Sequence, residues 1–438
     1  MHTTPQYWSL TETTLAFIIF FLIQCISTQV LAQSSKIIEL KQADQMEGKE
    51  IRGESAREFT GKVHFVQTTA DGERVKLWCD RAIQYLKQNK VELYGHVRIV
   101  RDSVTITADE GRYFGNERRA EVSSNVRLVR GSSVLTSKTG IHFVDDKRSR
   151  FLGNVHLVDT ASSITCDELV YIDSLAKSIA MGNVRVVNYS NSATVFGDSL
   201  VHFEKERYTI VHKSPKLVQI DTAVNGRIDT LLVVSKIMES YQDSTERFVA
   251  IDSVQIARSA LAAVCGKTTF LIKRDLIILQ DHPIVWESSN QVTGDSIVIG
   301  LKNKKLRTVY VKGRAMALSR ADSLHKNRYD QLTGRELTMY FADDRLERVF
   351  VNVNATSFYY IFDNEQPSGA NKSSGDKIYI DFLEGKIDQI KIVGGVQGQF
   401  FPEKMLLNRE QQYNLDGFRW HAIRPRRKNL TIVQESYD

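Results

Sequence analysis

The side chains that could do chemistry are present but not assembled. Ten histidines and four cysteines are spread over 438 residues, and no HExxH, GxSxG, P-loop or CxxC spacing occurs. Asp109, Asp167 and Asp198 stand at related positions, and carboxylates on stacked strands are what a parallel β-helix lyase or glycosidase would use. A catalytic carboxylate pair needs about 5–10 Å between its members within one site. Groups that recur at equivalent positions of a repeat read more simply as turn or strand-edge residues. Cys79, Cys166 and Cys265 lack the close spacing of a metal or redox site and read as small buried core thiols. No catalytic residue, metal ligand or cofactor is expected. The net charge of +6, with 42% apolar and 25% charged residues, is ordinary for a globular chain. It falls short of the dense basic patch of a nucleic-acid binder.

The elements that would carry a binding function begin after residue 32. Leu15 to Ile26 is a nearly unbroken apolar run, and Val30-Leu31-Ala32 supplies small or apolar residues before Gln33, so residues 1–32 read as a cleavable export signal. An uncleaved anchor and lipidation at Cys25 stay open as alternatives. From there a 29-residue period dominates. Val97, Val126, Val155 and Val184 recur at that step behind Gly95-His96, Ser124-Asn125, Gly153-Asn154 and Gly182-Asn183, which read as strand openings. Ile99, Leu128, Leu157 and Val186 follow two residues later. Leu77, Ile106, Leu135 and Ile164 form a second apolar column, and Tyr85, Phe114, Phe143 and Ile172 a third.

Alternation such as Val104-Thr105-Ile106-Thr107-Ala108 has period two and predicts strands, with turn signals about every 14–15 residues. An antiparallel meander follows, its strands near ten residues or about 33 Å, long enough to bend across two facing sheets. Arg98, Arg127, His156 and Arg185 follow the valines and should face outward. Asp221 to Asp229 is the expected domain boundary. Beyond it Gly294-Asp295, Gly334-Arg335 and Gly375-Asp376 open alternating strands of a divergent second copy, with Ser319–Asp330 and Asp363–Ser374 as surface loops. The expected domains are 33–222 and 230–402, followed by a basic, solvent-exposed C-terminal tail, 403–438, around Arg424-Pro425-Arg426-Arg427-Lys428.

The Gly-Asn-Val segments, the Ala108-Asp109 and Cys166-Asp167 pairs with Tyr113 and Tyr171 near each strand's end, and the export signal resemble the OstA-like family of the periplasmic lipopolysaccharide carrier LptA and the N-terminal part of LptD. The resemblance is sharp over about 60–220 and weaker over 250–400. It implies an all-β, elongated, repetitive antiparallel open β-jellyroll, here in two tandem copies, whose apolar groove receives acyl chains. It further implies a periplasmic carrier or bridge that moves lipopolysaccharide toward the outer membrane. Inner- and outer-membrane transport components would dock through strand edges, and nucleic acid would be no partner. The candidate groove residues are Leu77, Val97, Ile106, Phe114, Val126, Leu135, Phe143, Val155, Ile164 and Val184. A β-repeat surface or structural module, and a parallel β-helix polysaccharide-degrading enzyme, are the competing readings.

Overall fold

The computed structural model describes residues 38–426 and Leu430, apart from short segments at 52, 69–73, 102, 115–116, 118, 144–145, 161, 190–191, 223–227, 260, 303–304, 322–324, 344 and 364–365. The expected export signal, 1–32, lies outside the described residues. The chain forms two compact units that divide between Pro215 and Lys216. Asp221 and Asp229, the ends of the segment expected as the boundary, are instead paired with each other within the second unit.

The first unit contains β1 (Glu39–Gln42), β2 (Gln45–Ile51), β3 (Glu54–Thr68), β4 (Arg74–Tyr85), β5 (Lys90–Arg101), β6 (Val104–Phe114), β7 (Arg119–Arg130), β8 (Ser133–Phe143), β9 (Arg148–Val158), β10 (Ser162–Ile172), β11 (Lys177–Asn188), β12 (Ala193–Phe203) and β13 (Tyr208–His212). From β3 to β13 each strand pairs antiparallel with the next, and β1 and β2 together flank β3. This is the meander the alternating sequence predicts.

Every second strand bends at its middle, and the bend is written in two residues. Gly61-Lys62, Gly95-His96, Ser124-Asn125, Gly153-Asn154 and Gly182-Asn183 all have positive φ, and the ladder skips there, as between Tyr94 and Val97. The Gly-Asn-Val segments are therefore mid-strand bulges rather than strand openings; a bulge turns the strand and strengthens its twist. The aspartates face these bulges. Asn125 Nδ2 donates to Asp109 Oδ2 at 2.7 Å and Asn183 Nδ2 to Asp167 Oδ2 at 2.9 Å. At Gly95 and Gly182 a Cβ would stand 2.3 Å from the opposing carboxylate oxygen, so glycine answers both the left-handed backbone and the close approach.

The second unit contains β14 (Lys216–Thr222), β15 (Ile228–Val234), β16 (Ile237–Tyr241), β17 (Arg247–Arg258), β18 (Leu261–Leu271), β19 (Leu276–Gln280), β20 (Ile284–Glu287), β21 (Asn290–Thr293), β22 (Ser296–Lys302), β23 (Lys305–Arg320), β24 (Tyr329–Ala342), β25 (Arg345–Asp363), β26 (Gln366–Leu383), β27 (Lys386–Val393) and β28 (Gln397–Pro402). The bulge recurs at Asp252-Ser253, Gly313-Arg314 and Val353-Asn354, and the same positive-φ pair, Gly394-Gly395, separates β27 from β28. Gly334 and Gly375 likewise lie inside β24 and β26 rather than opening them. Most of Asp363–Ser374, expected as a surface loop, is paired strand: residues 366–374 belong to β26, with Tyr359 opposite Asn371 and Ile361 opposite Gly369. Its polar residues alternate with Ala370, which packs beside Phe401.

The largest departure from expectation is the C-terminal segment. Past the short helix α1 (Glu403–Leu406), residues 407–426 form a strap packed on the sheet rather than a solvated tail. One row of paired side chains, Leu232, Ala257, Ala262, Trp286, Gln291, Leu318, Gln331 and Phe358, lies beneath it. Gln331 accepts from the Leu415 N–H and donates to Asn414 Oδ1, while Gln291 accepts from the His421 N–H and donates to the Arg419 carbonyl. The Trp286 indole donates to the His421 carbonyl at 2.9 Å. Leu406 and Leu415 join Met316, Leu318, Phe358, Tyr360 and Phe401 in one cluster, and Leu430 packs on Leu232 and Ala257. Arg328, fully buried, holds Glu403 through both terminal nitrogens. The strap thus buries Trp286, Gln291, Leu318, Gln331 and Phe358 on its side of the sheet, and their mixed composition blurs the repeat in the sequence.

Candidate functional site

The ladder of the first unit sorts its side chains into rows. Phe65, Leu77, Ile99, Ile106, Leu128, Leu135, Leu157, Ile164, Val186 and Val195 are direct cross-strand neighbours along one face. Beside them runs a row in which valine faces a small residue: Val63 opposite Cys79, Val97 opposite Ala108, Val126 opposite Ser137, Val155 opposite Cys166 and Val184 opposite Gly197. Beyond the bulges lies a third inward row, Phe59, Ala82, Leu93, Gly111, Val122, Gly140, Phe151, Leu169, Ala180 and Leu200. The two halves of the bent strands face each other, since Phe59 and Leu93 share a cluster with Phe65 and Val97 and the two phenylalanine rings meet edge to face at 5.6 Å. Alternating large and small neighbours let facing rows interdigitate at native density.

Eight of the ten expected groove residues fall on this inner face. Val97, Val126, Leu135, Val155, Ile164 and Val184 are buried, while Leu77 and Ile106 are half-buried. Burial is graded along the aliphatic row. Leu77, Ile99 and Ile106 remain partly open to solvent, whereas Leu135 and Leu157 are each only 1% exposed. The apolar interior is accordingly partly open over β4–β6, shut over β7–β10, and half-open again at Val195 in β12. The far rim is polar and buried: Ser133, Ser162, Tyr171 and His202 line it. Burial pushes His202 down to about 4, and Thr209 Oγ1 lies 2.8 Å from its Nδ1.

Phe114 and Phe143 do not belong to this site. Phe114 is paired with Lys90 and Arg119, and Phe143 with Arg119 and Arg148, on the face opposite Leu93 and Phe151. The guanidinium carbons of Arg119 and Arg148 sit 4.4 and 4.8 Å from the Phe114 and Phe143 ring centres. They form cation–π lids on the outer surface. The difference has a plain source: facing each two-residue bulge, β6 and β8 leave one residue unpaired, so their alternation changes phase there and a column aligned on the first half of the strand points the other way on the second. The inward column missed beforehand, Leu93, Val122, Phe151 and Ala180, keeps the same 29-residue step.

Arg98, Arg127, His156 and Arg185 face outward, as expected, in a row with Thr107, Thr136 and Thr165 between them. Cys79, Cys166 and Cys265 are free and buried, and burial pushes their thiols up to about 11, 12 and 12. At neutral pH they stay protonated and act as small packing groups. Asp109 and Asp167 bond the bulge asparagines, and Asp198 pairs with Lys213 at 3.0 Å. Among the described residues no three His, Cys, Asp or Glu side chains gather as a metal site.

Residues 35–188 match the model of the OstA-like protein family, the stretch that holds β1 to β11 and all of the three inward rows except their last members in β12. No curated protein matches the chain. Among solved structures, one similar chain is LptH from Pseudomonas aeruginosa, described as the LptA homologous periplasmic component of the lipopolysaccharide transport device. It is 14% identical, with 32% of this chain and 95% of that one covered and a TM-score of 0.26.

Proposed function

We propose that the chain is a periplasmic carrier or bridge that shelters the acyl chains of lipopolysaccharide in the inner face of its first unit and helps move the lipid toward the outer membrane. The observation that carries this reading is the unbroken aliphatic row from Leu77 to Val186, partly open over β4–β6 and lying in the stretch that matches the OstA-like model. Each CH₂ group kept from water is worth about 0.8 kcal/mol, so a multi-acyl lipid crossing an aqueous compartment needs a continuous apolar surface. A row of near-equivalent Leu, Ile and Val offers neighbouring positions of similar energy, which favours shifting along the row over trapping in one well. The outward Arg and His column keeps that face polar.

The partners belong to the same reading. The edge strands β2 and β27 are exposed along most of their length, and unpaired edge N–H and C=O groups add strands readily. Transport components of the two membranes are the partners proposed for these edges. No residue in this reading does chemistry, so the activity proposed is non-enzymatic.

A photo-crosslinking residue at Ile106 should capture lipopolysaccharide, and one at Arg127 should capture far less. Depletion of the protein should cause lipopolysaccharide to accumulate at the inner membrane. Equal capture on both faces, or unchanged surface lipid on depletion, would overturn the proposal in favour of a structural surface module.

A further inference from the structure

The strap displays an unusual surface. Ile423 is 91% exposed, the most exposed large apolar side chain among the described residues. Its position is held from both sides: Gln291 and Trp286 pin the backbone at Arg419 and His421, and Arg424 donates to the Ser288 carbonyl at 2.8 Å. On the same stretch Trp420 lies against Tyr329 at 4.8 Å, with the Arg320 guanidinium 5.4 Å from its ring centre. Residues 417–428 hold Arg419, Arg424, Arg426, Arg427 and Lys428 and no acidic residue. The acids nearest in the chain and ladder are Asp416 and Glu287, and Glu287 is already bonded to Ser288 and Asn290.

An isoleucine held out in water within a collar of arginines is poor design for a solvated tail, which would gain nothing from being pinned. It suits a surface that is itself layered, with anionic headgroups outside and hydrocarbon beneath. Cations supply attraction at the headgroup level and the apolar tip inserts below it. We infer that the strap is a membrane-contact site, in which Ile423 enters an anionic lipid surface while Arg419, Arg424 and Arg426 engage its phosphates. Charge complementarity and the exposed apolar tip together favour a lipid surface over an acidic protein, which would meet the arginines but leave the isoleucine without a partner.

The test places an environment-sensitive fluorophore at this point in the full chain. Ile423→Cys on a Cys25→Ser background can be labelled with NBD selectively, because Cys79, Cys166 and Cys265 are buried. On phosphatidylcholine vesicles containing phosphatidylglycerol the label should brighten and shift to the blue. On pure phosphatidylcholine it should remain in water. A control label at Met46→Cys, 64% exposed in the first unit, reports adsorption through the apolar N-terminal run and should not respond. Arg419→Ser and Arg426→Ser, both at exposed positions, should each weaken the response about fivefold at low salt, and added salt should abolish the difference. A label that stays in water on both vesicles, responds equally to both, or responds only to an acidic polypeptide overturns the inference.

Discussion

Gly182 shows how one residue can hold a strand's geometry. Its φ of +72° and the Asp167 carboxylate 2.3 Å from where a Cβ would stand place two demands on it. Ser124 accepts φ of +61° at the equivalent bulge, so the backbone alone does not forbid a side chain. Gly182→Ala should cost about 1–3 kcal/mol in urea unfolding. Gly131→Ala, at φ +52° but with open space around it, should cost about 1 kcal/mol, for backbone strain only. Adding Asp167→Ala to Gly182→Ala should recover part of the loss, because the clash and the carboxylate are one interaction. The glycine, the asparagine and the aspartate were all legible as a recurring pattern. Their meaning was not, since a turn and a bulge use the same residue types for the same reason, access to positive φ.

At the scale of elements, the strap decides how much of the second unit is core. Truncation after Pro402 would uncover Met316, Leu318, Phe358 and Tyr360. The truncated protein should bind an apolar dye strongly and unfold at lower temperature than the full chain. At the start of the strap Arg328, just before β24, is the sensitive point: fully buried, it faces Glu403 of α1 at 2.5 Å and Glu410 at 3.5 Å. Glu403→Gln removes the nearer charge and leaves a buried guanidinium with one poorer partner, at a cost of about 1–3 kcal/mol in denaturant unfolding. Glu403 itself is partly exposed, which keeps the figure below that of a fully buried pair. The strap could not be read beforehand because its basic composition is that of a solvated tail. Its anchors are single residues, Gln291, Gln331 and Trp286, more than eighty positions away in the chain.

For the whole molecule, the two units should answer acid in opposite ways. In the first, burial depresses His202 from 6.5 to about 4. The unfolded chain then binds a proton that the native unit does not, so stability is lost as pH falls through that window, by up to about 3 kcal/mol. In the second, burial raises Asp330 from 3.8 to about 6, with the Tyr360 N–H donating to it at 2.9 Å. Here the native unit binds the extra proton, and stability rises as pH falls from about 6 toward 4, by a similar amount. Unfolding followed from neutral pH to about pH 4 should show the first trend vanish in His202→Gln and the second in Asp330→Asn, whose amide oxygen can still accept from Tyr360. A common acid response of both variants and the parent would refute the assignment.

The all-β class, the antiparallel order, the strand length and two of the inward columns are properties of the sequence by itself, because alternation, turn residues and a fixed period are local and repeat often enough to be read without contacts. The third column, Phe114 and Phe143, needed the tertiary structure: opposite each two-residue bulge the partner strand passes a single unpaired residue, Asp109 in β6, and that one residue reverses the face that every later side chain takes. The division at Pro215, the paired state of residues 366–374 and the burial of the strap were likewise decided only by packing. Each depends on which distant apolar face is left uncovered, and covering that face is a property of the folded surface rather than of any segment that forms it.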